Sequence, residues 1–125
     1  MLQAYEGIPE PSVLLAFGRS EPIRLLAIVL EGFGYMPLEC HCEQEARDKL
    51  RSNSPCAALV DLSLETAESI CSLVVTDAEL PLVVLLDEQE QDPQARSQEL
   101  GALGWERLDA PPERILKRLR ELTGG

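Results

Sequence analysis

Two runs in the chain carry no charge until they close on an aspartate: "CAALVD" ending at Asp61 and "LPLVVLLD" ending at Asp87. A parallel strand buried on both faces reads as such a run, and its last residue emerges at the sheet edge where ligands bind. Shorter apolar runs lie at 12–17 ("SVLLAF"), 36–42 ("MPLECHC", with a proline that suits an edge strand) and 105–109 ("WERLD"). The intervening segments 20–34, 43–53, 64–77, 92–104 and 111–122 read as helices. Ser20 can cap the first of them, Pro22 fits its first turn, and Gly34 stops it. Asp92 and Pro93 open the fourth, and Ile115, Leu116, Leu119 and Leu122 form one stripe of the last. Strict alternation of five strands and five helices predicts an α/β fold: one parallel sheet, helices on both faces, right-handed crossovers.

A length of 125 residues fits a single domain, read as 12–123 after a leader of residues 1–11. The 22 acidic residues against 11 basic ones give a net charge of −11. That balance argues against binding of nucleic acid or an anionic membrane by this domain, because phosphate contacts need clustered Lys and Arg. No stretch approaches a membrane span, and the first residues lack the basic start and apolar core of a signal peptide. A cytoplasmic protein with reduced thiols is expected. In "CHC" (40–42), strand alternation sends His41 to the face opposite Cys40 and Cys42, so packing is favoured over metal. Cys56 and Cys71 read as small core residues. One histidine, no Gly-rich phosphate loop and no Ser-His-Asp set leave no catalytic residue, metal or cofactor to assign.

The order and spacing of several segments resemble the receiver domain of bacterial two-component response regulators over nearly the whole chain. "VLLAFGRSEPIRLLAIVLEGFGY" (13–35) is similar to that family's first strand and helix, and "CAALVDL" to its third strand, with Asp61 at the phosphoacceptor position. "LPLVVLL" resembles its fourth strand, and "QELGALGW" its turn into strand five. The resemblance implies a doubly wound, flavodoxin-like sheet of order 2-1-3-4-5. It also implies a phosphotransfer pocket with Mg²⁺ held by an acidic pair, a hydroxyl after strand four and a lysine after strand five. Here the acidic pair falls on Phe17 and Gly18, the hydroxyl on Leu86 and the lysine on Leu108, which Asp109 follows. None of these side chains holds Mg²⁺, which takes carboxylates and water. Asp61 remains, with an aromatic residue, Trp105, at the family's switch position.

Asp61 is then either a phosphoacceptor or a strand-end acid, and the absent Mg²⁺ ligands favour the second. Arg19, in the loop bordering Asp61, is expected to supply a cation in place of Mg²⁺ and lysine. Asp87 and Asp109 are expected to face Asp61, their repulsion relieved by Arg19 or Arg107. On the first helix the resemblance turns Leu25, Leu26, Val29, Leu30 and Phe33 to the sheet. That leaves Ile23, Ala27 and Ile28 as an apolar patch for a protein partner, a second copy or the leader. Three functions follow: a phosphorylation-independent pseudo-receiver acting by protein interaction, an atypical phosphoacceptor using Asp61, and, more distantly, a small α/β ligand-binding protein or enzyme.

Overall fold

The computed structural model describes residues 11–18 and 21–123, the side chains of 21–23 excepted. The elements alternate as β1 (Ser12–Ala16), α1 (Glu21–Gly32), β2 (Met36–Cys40), α2 (Glu43–Ser52), β3 (Ala57–Asp61), α3 (Ala67–Ser72), β4 (Leu82–Leu86), α4 (Pro93–Glu99), β5 (Gly104–Arg107) and α5 (Pro112–Thr123). The five strands form one parallel sheet in the order β2-β1-β3-β4-β5. This is the flavodoxin-like order that the resemblance implies.

Period-two alternation divides the central strands between two cores. Val13, Leu15, Leu59, Val83 and Leu85 point to one side, where they meet Leu26 and Leu30 of α1 and Ile115, Leu116 and Leu119 of α5. Leu14, Ala16, Ala58, Val60, Leu82 and Val84 point to the other, against Ala46 of α2 and Ile70, Cys71 and Val74 of the third helix. The central strands are therefore apolar at every position but Ser12, which opens β1, and Asp61, which closes β3, because both of their faces are dry. Phe17 continues the pleat one residue past β1 and buries its ring in the α1/α5 core.

Several local expectations change. Ala27 lies in the α1/α5 core rather than on a free patch, while Leu25 and Phe33 are exposed beside Ile28. The physical reason is α5, which packs beside α1 and buries the flank carrying Leu26, Ala27 and Leu30. Ile23 falls outside the described side chains. The fourth helix stops at Glu99, not 104: Gly101 follows with φ +76°, and its N–H reaches back to the Gln98 carbonyl. The third helix begins at Ala67 rather than 64, because residues 62–66 belong to the turn after Asp61, and it ends in a wide π turn over Leu73–Asp77.

The cysteines divide by exposure. β2 ends at Cys40, so Cys42 is the exposed N-cap of α2 rather than a strand residue. Cys56 is exposed, not core: it precedes β3, its N–H held by the Ser12 carbonyl. Cys40 and Cys71 are buried, and desolvation pushes both thiols up to about 12. The unfolded chain ionises these thiols near 9, so their contribution to stability is complete below that pH and is lost as pH climbs towards 12. At pH 7.5 a maleimide should modify two of the four cysteines in the native protein, Cys42 and Cys56, and all four in guanidinium. Native modification of Cys40 or Cys71 on the same timescale, seen by peptide mass mapping, would contradict this packing.

Candidate functional site

The carboxyl ends of β1, β3 and β4 meet where the resemblance places a phosphotransfer pocket. Asp61, the last residue of β3, is paired with Leu85 of β4 and has no exposed surface. The chain supplies its hydrogen bonds itself. Oδ1 accepts the Ser63 N–H at 2.8 Å and the Ser63 hydroxyl at 2.6 Å, and Oδ2 accepts the Gly18 N–H at 3.4 Å. The Leu64 N–H closes the turn on the Asp61 carbonyl at 3.1 Å. An aspartate bonding the backbone two residues on is a local turn motif, which the spacing Asp61–Leu62–Ser63 permits.

The positions around Asp61 offer no ligand to a divalent cation. Phe17 is buried, and its ring meets the His41 ring edge-on at 4.7 Å. The Phe17 carbonyl lies 2.8 Å from His41 Nδ1 and can only accept, so that nitrogen carries the proton. Gly18 has no side chain, and Leu86 is packed into the α2/α3 core. Leu108 lies half-buried against the α1/α5 core. Mg²⁺ wants near-octahedral oxygen, and at these positions Asp61 alone has a side-chain oxygen. The donor set does not fit the ion. Among the described residues no group of three or more His, Cys, Asp or Glu side chains is placed to hold a metal. Arg19, expected to pair with Asp61, lies outside the described residues.

The three strand-end acids do not converge as expected. Asp61 is sealed inside, whereas Asp87 and Asp109 are exposed. Asp87 Oδ1 accepts the Gln89 N–H at 2.9 Å. Arg107 neutralises neither carboxylate by a bond of its own: its Nη1 donates to the carbonyls of Asp87 (2.6 Å) and Glu90 (3.2 Å). The Arg107 guanidinium also lies 5.3 Å from the Trp105 ring centroid, while Trp105 Nε1 donates to Gln94 Oε1 of α4 at 3.3 Å. Trp105 is thereby fixed, half-buried, between α4 and Arg107. An open cleft of about 470 Å³ lies beside Ser63, bounded by Leu86, Asp87, Gln89 and Arg96. Its cation is already engaged, since Arg96 donates to Glu68 at 2.6 Å, and that bond raises the guanidinium pKa further.

The sequence reading missed three arrangements: the Ser63 clasp, the His41 bond to Phe17, and a buried acid with two arginines. Glu106 on β5 is 3% exposed and lies 3.3 Å from Arg114 Nε and 3.4 Å from Arg118 Nε, both on α5. The clasp has a local signal in Asp-x-Ser. The Glu106 arrangement has half of one, because Arg114 and Arg118 are four apart on a single helix face.

No family model matches the chain, and no curated protein sequence matches it. Solved structures do. A response-regulator candidate from Chloroflexus aurantiacus superposes with a TM-score of 0.82 at 20% identity, covering 94% of this chain and 100% of that one. A response regulator from Thermotoga maritima gives 0.78 at 20% identity over 94% and 100%. A receiver-domain protein from Methanospirillum hungatei gives 0.80 at 14% identity over 93% and 95%. The fold is that of a receiver domain, and at these identities the likeness is one of fold.

Proposed function

We propose that this domain is a phosphorylation-independent interaction module of signalling or transcriptional control: a pseudo-receiver, working in the cytoplasm and catalysing no reaction. One observation carries the reading. The acid at the phosphoacceptor position is fully buried and bonded to Ser63 and Gly18, while Phe17, Gly18, Leu86 and Leu108 supply neither cation ligands nor an ammonium. Phosphoryl transfer builds charge that such groups must neutralise, and buried apolar side chains cannot. Its partners are proteins or a second copy. Two faces are open to them: the outer flank of α1 with Leu25 and Ile28, and the surface around Trp105. Among the described residues no helix is long and apolar enough to cross a membrane.

Incubation with Mg²⁺ and acetyl phosphate, or with beryllofluoride, should add no mass and move no amide resonance of Leu62, Ser63 or Gly18. A stable adduct on Asp61 would overturn the reading in favour of an atypical phosphoacceptor.

A further inference from the structure

The exposed apolar surface is concentrated in one place. Among the described residues five large apolar side chains stand open to solvent, and three of them lie on α1 or in the turn that ends it. They are Leu25 (55%), Ile28 (64%) and Phe33 (56%). Leu25, Ile28 and Gly32 follow at intervals of three and four, a stripe on the side of α1 turned away from Leu26 and Leu30. Single exposed apolar residues are ordinary on a protein surface, whereas a row of them marks a face that something covers.

The chain enters the fold at the foot of that row. β1 and β2 open side by side, with Ser12 paired to Met36, and the Pro11 carbonyl accepts the Met36 N–H at 2.8 Å. Residues 33–35 alone separate α1 from Met36. Residues 1–10, which lie outside the described residues, are thus tethered beside the carboxyl end of α1. Ten extended residues reach about 33 Å, whereas the twelve of α1 cover about 18 Å, so the segment is long enough to follow the whole helix. Its sequence, "MLQAYEGIPE", sets Leu2, Tyr5 and Ile8 three apart. Pro9 and Pro11 bias the residues before them, Ile8 and Glu10, towards an extended backbone. In a polyproline II helix, with three residues per turn, Leu2, Tyr5 and Ile8 share one edge, and Gln3 and Glu6 share another.

We propose that residues 1–10 lie along the outer flank of α1 as an intramolecular cap, with Leu2, Tyr5 and Ile8 set against Leu25, Ile28 and Phe33. A tether this short holds the segment at an effective concentration on the order of millimolar, so a modest contact is enough to keep it in place. A second copy of the chain is a poorer occupant. Two bodies of charge −11 repel, and three side chains fall short of the roughly 20–30 residues a side of a stable interface. The contact itself is independent of Asp61. Its consequence rests on the interaction-module reading: the cap and a protein partner compete for one flank, which is free only when the cap leaves it.

Nuclear Overhauser spectra of the full chain test the contact directly. The Tyr5 ring should show cross-peaks to the methyl groups of Ile28 or Leu25. Tyr5→Ser should abolish them, move those methyl resonances, and raise the binding of an apolar dye about twofold or more. Gln3→Ser, on the other edge of the segment, should leave both readings at the parent values. No cross-peak from Tyr5 to α1, or α1 methyl resonances unmoved by Tyr5→Ser, would overturn the cap. So would cross-peaks that appear only between labelled and unlabelled molecules in a mixed sample, which would assign the flank to self-association. Each of those failures leaves Asp61 unmodified by acetyl phosphate and the pseudo-receiver reading intact, whereas an adduct on Asp61 beside normal Tyr5 cross-peaks overturns that reading alone.

Discussion

Phe17→Asp should unfold the domain, or lower its unfolding free energy by more than about 4 kcal/mol, whereas Gly18→Asp should cost less than about 1 kcal/mol. The two positions are neighbours and correspond to one acidic pair in the resembled family, but they have different surroundings. The Phe17 ring is 1% exposed and packs with Val13, Leu15 and Leu26 in the α1/α5 core. Truncating a buried phenylalanine costs about 3–5 kcal/mol, and an unpaired carboxyl in its place adds a desolvation penalty. Against a total stability of about 5–15 kcal/mol, that sum is decisive. At Gly18 an added Cβ meets nothing within 4 Å, and the glycine is not among the residues at positive φ. The cost there is the repulsion of a second carboxylate near Asp61. Urea denaturation of the two variants, with circular dichroism to register folding, separates them. A folded Phe17→Asp protein of near-parent stability would mean that the ring is not part of the core. If the contrast holds, a phosphotransfer pocket cannot be restored here one residue at a time, because one of its positions now serves the packing.

What the sequence revealed follows from what each element has to bury. β4 is apolar throughout and β3 up to its closing Asp61 because both faces are covered, so their runs stood out without reference to any neighbour. The alternation of elements then led to a parallel sheet covered on both faces, and the resemblance to the receiver family, carried by the segments from 13–35 to "QELGALGW", implied its strand order. The rotation of α1 was not legible. Leu25, Leu26, Ala27, Ile28, Val29 and Leu30 are consecutive apolar residues, so periodicity could not choose between Leu25 and Ala27 for the buried flank, and α5 makes that choice. The end of α4 was misjudged for a similar reason: the break depends on Gly101 adopting φ +76°, at a place where a Cβ would come within 3.1 Å of Val75 in the π turn that ends the third helix. The site divided in the same way. Apolar side chains at Phe17, Leu86 and Leu108 could be read directly. The surroundings of Asp61 could not, because they depend on a turn in which Ser63 folds back on the carboxylate. Glu106 drew no reading from the sequence, because its partners Arg114 and Arg118 come from α5 and only the packing of that helix beside β5 brings them to it.

Removing the Asp61 carboxylate should destabilise the protein, and the sign of that change says what the residue is for. Hydrogen bonds to an ionised acceptor contribute about 1.5–3 kcal/mol net, neutral ones about 0.5–1.5. Two of the three bonds here are short, at 2.6 and 2.8 Å to Ser63, and the third, from Gly18 at 3.4 Å, adds little. Asp61→Ala should therefore cost about 3 kcal/mol. Asp61→Asn keeps an acceptor for Ser63 but loses the charge, and Ser63→Ala keeps the charge but loses the shortest bond, so each should cost about half as much. Urea unfolding at pH 7 with an unchanged m-value tests the order. An acid retained for reaction in a dry pocket behaves in the opposite way: its burial is uncompensated, and replacing it makes the protein more stable at the expense of activity. A gain in stability for Asp61→Ala would therefore contradict the pseudo-receiver reading even if no phosphodonor had yet been found. A loss of about 3 kcal/mol, most of it shared with Ser63, would identify Asp61 as the anchor that fixes the β3–α3 turn in one conformation.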